Sequence, residues 1–305
     1  MRVLAHLSLI AVSLIYGANY LIAKGLMPDL IGPSGFITLR VTGAGLLFWL
    51  LYLMQANRQR IDRADIPRLA LCGLTGVALN MLLFFNGLSL TSPVNASLIM
   101  TVNPLWVLLA SAVMLGLKIT RSKFLGVVIG AVGAIGLLLY SAAGPTPHAH
   151  AMGDLMILFN ALSFGVYLVA VRPLMAKYRP LTVIAWVFLF GWIFSTPFGV
   201  GQALAIDWAQ FTTAQWGATA FVVIGTTFFA YLLNIFAISH VQPTVVAAYI
   251  YLQPILAVGF SWFHQRNGGV NYLEGIGWPV LAFGGLIFIG VYLVSRIRPI
   301  PDATT

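Results

Sequence analysis

Ten long apolar runs, separated by short polar or proline-containing joints, dominate the sequence. Each is close to the roughly 20 residues that an α-helix needs to cross the hydrocarbon core of a bilayer. The runs lack the polar-apolar alternation of membrane-spanning strands. The sequence therefore predicts an all-α integral membrane protein with ten transmembrane helices. The runs are 3–25, 33–54, 67–88, 94–115, 122–143, 153–174, 181–203, 215–239, 244–264 and 272–295.

The composition excludes the main soluble classes. Of the 305 residues, 60% are apolar and 8% are charged, against about 45–50% and about 25% in an ordinary soluble domain. Too few charges are present to coat a soluble globule, so a soluble enzyme and a disordered chain are both excluded. Cys72 is the only cysteine, which excludes a disulfide scaffold and a thiolate metal site.

The basic residues predict the orientation of the chain in the membrane. If the N-terminus is cytoplasmic, 13 lysines and arginines fall on the cytoplasmic side and only Lys24 and Arg266 on the other, with Arg40 inside the second run. Cytoplasmic loops carry such an excess of positive charge. Both termini are therefore expected to be cytoplasmic. The charges form no patch, so we expect no nucleic-acid partner.

The chain repeats itself at an offset near 150 residues. The pattern Ser-x3-Pro-x9-(Asn/Gln)-Pro begins at Ser89, before the fourth run, and again at Ser239, before the ninth. Two further pairs keep the same order, Tyr16-Gly17 with Phe164-Gly165 at an offset of 148 and Gly126 with Gly277 at 151. Each copy contains five runs, and this odd number makes the second copy enter the membrane from the opposite side.

The repeat predicts two inverted five-helix units, 1–145 and 150–298, followed by a short cytoplasmic tail, 299–305. Inverted repeats suit alternating access, because exchanging the conformations of the two units converts an inward-open state into an outward-open one. The sequence therefore favours a carrier of small molecules.

The repeated motif resembles that of the drug/metabolite transporter superfamily, and within it the ten-span EamA-type exporters. Further matches are Tyr16-Gly17-Ala18-Asn19 with Lys24, Arg40 in the second run, and the glycine-rich fifth and tenth runs. The resemblance implies a central cavity lined by spans 1, 3, 4, 6, 8 and 9. It also implies movement of small solutes, usually efflux, across a bacterial plasma membrane.

Pro104 and Pro254 are candidate hinges near the middle of spans 4 and 9. Each removes a helical hydrogen bond, which predicts free carbonyls four residues earlier, at Met100 and Ile250. The preceding Asn103 and Gln253 bring an amide to the same depth. That amide either binds a solute or bonds to a neighbouring helix.

Other polar and aromatic side chains inside the runs are candidates for the lining of a substrate pocket, although packing or lipid contact is the alternative for each aromatic. The full set of candidate substrate-binding residues is Tyr16, Asn19, Arg40, Asn80, Phe84, Asn103, Asn160, Phe164, Tyr167, Tyr231, Asn234, Tyr249 and Gln253.

Arg40 is the one charge well inside a run. It either binds an anionic substrate, holds neighbouring helices together, or extends to the outer interface. Lys24 and Arg172 occupy equivalent run ends and are either interfacial anchors or gating charges.

The sequence shows none of the residue sets that membrane catalysis requires. All seven acidic residues, Asp154 among them, fall in joints or at run ends, and no histidine is central to a run. A glycine-rich phosphate loop is missing as well. We expect a secondary carrier with no cofactor and no metal, acting as a monomer or homodimer on a small-molecule substrate in a lipid bilayer. An importer or facilitator, or a non-transporting receptor or assembly factor, is the alternative.

Overall fold

The computed structural model describes residues 2–144, 148–238, 240–241 and 249–295. Over these residues the chain is helical and contains no strand. Within the described ranges, nine helices are long and apolar enough to cross a membrane, and a tenth, α9, is described from Leu252. The helices are α1 Val3–Leu26, α2 Pro33–Met54, α3 Arg63–Leu90, α4 Pro93–Leu115, α5 Arg121–Ala142, α6 Ala151–Lys177, α7 Pro180–Leu204, α8 Thr213–Asn234, α9 Leu252–Arg266 and α10 Trp278–Ser295.

These helices follow the predicted runs closely. Proline occupies the first turn of α2, α4 and α7, where its missing N–H and fixed φ do no harm. The outer surface is apolar, with Val113 and Trp278 at least 80% exposed, as expected for helices that face lipid. Ser239, Pro243 and the predicted tail 299–305 lie outside the described residues, as does the first part of run 244–264.

The helix packing has a two-fold pattern. Helix α1 packs on α8 and α9, and helix α6 packs on α3 and α4. The remaining pairs, α2 with α7 and α5 with α10, join equivalent helices of the two predicted repeats. The first helix of each repeat therefore packs on helices of the other repeat. We call α1, α8 and α9 bundle A, and α3, α4 and α6 bundle B.

Glycines bring α5 and α10 close together. A Cβ atom on Gly133 would lie 2.7 Å from the carbonyl oxygen of Phe283, and one on Gly126 would lie 2.6 Å from that of Gly290. Small residues are the usual means of close backbone approach between membrane helices. The glycine-rich fifth run thus packs inside the bundle, against the tenth.

Helix α4 is interrupted near its middle, and helix α9 begins after a turn at nearly the equivalent position. A turn at Thr101 and Val102 precedes the second part of α4, and a turn at Ile250 and Tyr251 precedes α9. The expectation of a free carbonyl at Ile250 is wrong, because the chain tightens there and the N–H of Gln253 donates to that oxygen at 3.0 Å. The carbonyl of Ile250 therefore has its hydrogen-bond partner within the same turn.

Two π-helical segments were not anticipated from the sequence. They are Leu74–Ala78 in α3 and Phe221–Phe229 in α8. Adding the repeat offset of 148 residues to the first segment places it within the second. In α3, the carbonyl of Thr75 accepts a hydrogen bond from the hydroxyl of Ser163 in α6, at 2.7 Å. Such segments are frequent at functional sites.

The glycine contacts predict a position-specific effect on stability. Gly133→Ala should lower the thermal unfolding midpoint in detergent, since overpacking costs about 1–3 kcal/mol. Gly285→Ala is the matched control in α10, where an added Cβ would meet nothing within 4 Å. Equal midpoints for the two variants would contradict this account of the α5–α10 contact.

Candidate substrate site

Three tyrosines from different helices meet between the two bundles. Tyr16 of α1, Tyr167 of α6 and Tyr231 of α8 lie close enough to interact electrostatically. The Tyr16 side chain lies near Asn234, and the ring of Tyr231 stands edge-on to that of Phe188, 5.5 Å between centroids. Four predicted site residues are therefore neighbours in the structure.

Arg40 extends into this cluster from the beginning of α2. Its side chain is buried, with 5% of the residue exposed, so the alternative of extension to the interface is wrong. The Nε–H group donates to Oγ1 of Thr227 at 2.8 Å, and Cζ lies 4.4 Å from the centre of the Phe85 ring. The side chains of Tyr16 and Tyr231 lie near the guanidinium. It contacts no carboxylate in the described part of the chain.

Gln253 is hydrogen-bonded to α1 and lies just after the turn that precedes α9. The Tyr20 hydroxyl donates to its Oε1 at 3.2 Å, and the Tyr20 ring packs edge-on to Phe84 at 5.5 Å. Both Tyr20 and Gln253 are buried. These contacts connect α9 and α1 of bundle A with α3 of bundle B.

Buried amides account for three further predicted residues. Asn19, Asn103 and Asn160 are all less than 5% exposed, and the Oδ1 atom of each has no partner among the described residues. The Nδ2 group of Asn160 donates to the carbonyl of Asn80 at 2.6 Å, so Asn80 takes part through its backbone. An unpartnered amide oxygen at this depth is a hydrogen-bond acceptor available to a solute.

Not every predicted residue joins the cluster. Phe164 does adjoin it, since its ring packs on that of Tyr167 with 5.7 Å between ring centres. The Tyr249 hydroxyl instead bonds Nδ1 of His6 at 2.8 Å, within a small apolar group at the start of α1. His6 is ten residues before Tyr16, roughly 15 Å along a helix. The structure thus separates Tyr249 from the central tyrosines.

Asp154 is a buried polar centre that the sequence reasoning missed. It lies in the first turn of α6 and is fully buried. Its carboxylate accepts hydrogen bonds from the Thr91 hydroxyl, from Nδ2 of Asn95 at 3.2 Å and from the Ser141 hydroxyl at 2.5 Å. Its burial could not be inferred from the sequence, because Asp154 lies at the end of an apolar run. The polar residues at neighbouring run ends were the signal that could have found it.

Lys24 fastens the end of α1 to the end of α3. Its Nζ donates to the carbonyls of Leu88 at 2.9 Å and Ser89 at 2.7 Å, where a cation also complements the helix dipole. Arg172, its repeat equivalent, is exposed and makes no hydrogen bond within the described ranges. The two equivalent cations are thus in different states.

Two cavities are lined by none of the buried amides. One of about 420 Å³ is apolar and opens between α2 and α7, where it is lined by Trp49, Phe188 and Trp192, among others. The other, of about 280 Å³, is bordered by Trp262, Gln265 and Arg266 at the end of α9. Since neither holds the buried amides, the polar cluster is the better candidate for a substrate site.

Comparison with known proteins decides the family. The model of the EamA-like transporter family matches residues 3–139 and again residues 151–296. The chain belongs to the EamA-like transporter family. The two matched segments correspond to the two copies of the repeat, and the EamA resemblance drawn from the sequence motifs is confirmed.

Several relatives are named as transporters. An uncharacterized transporter of Archaeoglobus fulgidus is 23% identical over 274 residues, covering 88% of this chain and 90% of its own length. A probable terminal-alkyne amino-acid exporter of Streptantibioticus cattleyicolor is 27% identical over 236 residues, with coverage of 76% and 74%. A pseudopaline exporter of Pseudomonas aeruginosa is 24% identical over 238 residues, with coverage of 75% and 77%.

A solved crystal structure supports the fold. It superposes with a TM-score of 0.60 at 20% identity, covering 96% of this chain and 98% of its own. At this identity the likeness concerns the fold alone. As a member of the EamA-like transporter family with apolar helices of spanning length, this protein is an integral membrane transporter of small molecules.

The Asp154 contacts predict a large loss of stability on substitution. Asp154→Ala should lower the thermal unfolding midpoint strongly, because each buried donor left without a partner costs about 1–3 kcal/mol. Asp29→Ala removes an exposed carboxylate and should leave the midpoint unchanged. A stable Asp154→Ala protein would show that the three hydrogen bonds are dispensable.

Proposed function

We propose that this EamA protein is a secondary carrier that exports small metabolites such as amino acids across the bacterial plasma membrane by alternating access. The packing of α1 and α6 carries the proposal, since it creates two equivalent bundles with a polar and aromatic cluster between them. The family and the two relatives named as exporters support it.

The moving units in this proposal are the two bundles rather than the two sequence repeats, 1–145 and 150–298. Because α1 packs on α8 and α9, it moves with bundle A, and α6 moves with bundle B. Pro104 and Pro254, beside the turns in α4 and α9, act as hinges. Because the two prolines occupy equivalent positions in the repeats, bundle A and bundle B can undergo equivalent motions related by the two-fold axis.

The contacts of Lys24 fit a state closed at its end of the molecule. There the cation joins α1 of bundle A to α3 of bundle B, whereas Arg172 is exposed at the equivalent place. With both termini cytoplasmic, Lys24 lies on the outer side. The conformation is then closed to the outside, and release of Lys24 accompanies outward opening.

The proposed orientation can be tested by cysteine labelling. In a Cys72→Ala background, Asp207→Cys in the α7–α8 joint should react with a membrane-impermeant maleimide in intact cells. Arg58→Cys in the α2–α3 joint should react only after permeabilisation, since that joint is cytoplasmic in the proposal. The opposite labelling pattern would place the termini outside.

Transport itself is tested with labelled amino acids. Inverted membrane vesicles that contain the wild-type protein should accumulate at least one labelled amino acid from a panel of 20, whereas vesicles without it should not. Uptake only by right-side-out vesicles would indicate an importer. Equilibration in both orientations without accumulation would indicate a facilitator, and no movement in either would overturn the proposal.

The buried amides should be required for this transport. Asn103→Ala and Gln253→Ala should each lower the initial rate at least tenfold, because a pocket built to hydrogen-bond a solute loses one partner. Gln265→Ala, an exposed amide on the same helix as Gln253, is the matched control and should keep the wild-type rate. Unfolding midpoints measured in parallel separate lost transport from lost folding, and wild-type rates in both variants would remove these amides from the site.

A further inference from the structure

We propose that the transported solute carries a single carboxylate and that the guanidinium of Arg40 binds it. This inference rests on the proposed transport function and names the chemical class of its substrate. It begins from Arg40, a charge between the bundles that no described residue compensates.

No acidic side chain neutralises Arg40 in the described part of the chain. The ion pairs found there join Lys177 to Asp62 and Asp65, at one end of the molecule. The buried carboxylate, Asp154, is occupied by three donors of its own. A charge within a membrane-spanning segment is expensive and normally has a partner. The missing partner is an anion that arrives with the solute.

The Arg40 guanidinium is held by its Nε–H group and one face, which leaves the edge with the Nη atoms available to a ligand. Nε–H is used by Thr227, whose own hydroxyl donates to the carbonyl of Val222 at 3.1 Å in the π-helical segment of α8. One face lies over the Phe85 ring. The guanidinium carries five N–H donors, and those on the Nη atoms have no partner among the described residues. Two such donors match the two oxygens of a carboxylate.

The surroundings favour one negative charge on a partly apolar molecule. Arg40 is the only cation of the cluster, since Lys24 is bound to carbonyls at the end of α3. A dianionic phosphate would keep an unbalanced charge there. The rings of Phe48, Phe188 and Tyr231 pack on one another beside Arg40 and offer apolar contact to the rest of the solute.

The first test asks whether Arg40 is reachable and whether carboxylates protect it. Purified protein in proteoliposomes is treated with phenylglyoxal, and modification of Arg40 is followed by mass spectrometry. The protectants are three matched pairs: phenylalanine, leucine and glutamine, each with its amide. At least one amino acid should slow the modification fivefold or more, and its amide should not. An unmodified Arg40, equal protection by acid and amide, or no protection by any of the three acids would each overturn the proposal.

The second test uses variants and ligand-induced thermal stabilisation, which does not depend on transport. The midpoint shift that the protecting amino acid gives to the wild type should disappear in Arg40→Gln. Arg40→Lys keeps the positive charge but loses the paired N–H donors of the guanidinium. The apparent Kd of the amino acid should therefore rise at least tenfold. If Arg40→Gln does not fold, Thr227→Val replaces it, and its apparent Kd should rise because the guanidinium loses its fixed edge. An unchanged Kd in the folded variants would assign Arg40 a purely structural role.

The two proposals fail separately. Carboxylate-specific binding without movement across vesicles would overturn the transport proposal and keep the role of Arg40. Transport of an amine or amide with no preference for the acid would do the reverse.

Discussion

A bilayer offers no hydrogen-bond partners to a peptide backbone, and this constraint underlies the whole structure. Most of the described chain meets it by forming long helices. Where the helix departs from α geometry, the freed groups find partners nearby. The carbonyl of Thr75 accepts from Ser163, that of Val222 from Thr227, and that of Ile250 from the Gln253 N–H. These three bonds lie at buried residues such as Thr75, Val222 and Gln253, in the packed region between the helices where a solute site can be built.

The two-fold arrangement is a property of the backbone rather than of the side chains. The turn within α4 and the turn before α9 lie at nearly equivalent places, and the π-helical segments of α3 and α8 overlap at the repeat offset. The chemistry at equivalent places differs. At the repeat offset of 148, Asp154 corresponds to His6, which bonds Tyr249, whereas Asp154 holds three polar side chains. The proposed symmetric motion rests on the shared backbone, whereas the side chains at the two ends of the molecule differ.

Much of the candidate site could be predicted from residue type and depth. A buried amide or charge inside an apolar run is unusual enough to mark Asn19, Asn103 and Arg40 without a structure. Aromatic residues carry a weaker signal, because lipid-facing and cluster-facing rings look the same in sequence. Tyr231 joins the central tyrosines and Tyr249 does not, although both follow from the same pattern. Asp154 escaped notice because a span end gives no information on burial.

The sequence alone determined the membrane class, the number and order of helices, the inverted repeat and the family motif. Each of these depends on length, composition or spacing along the chain. The tertiary structure decided which helices share a bundle, because the exchange of α1 and α6 between the repeats is a matter of packing. It also decided that Arg40 is buried against Thr227 and Phe85 and that Lys24 binds the end of α3. Those contacts join residues far apart in the chain, and only the packed helices bring them together.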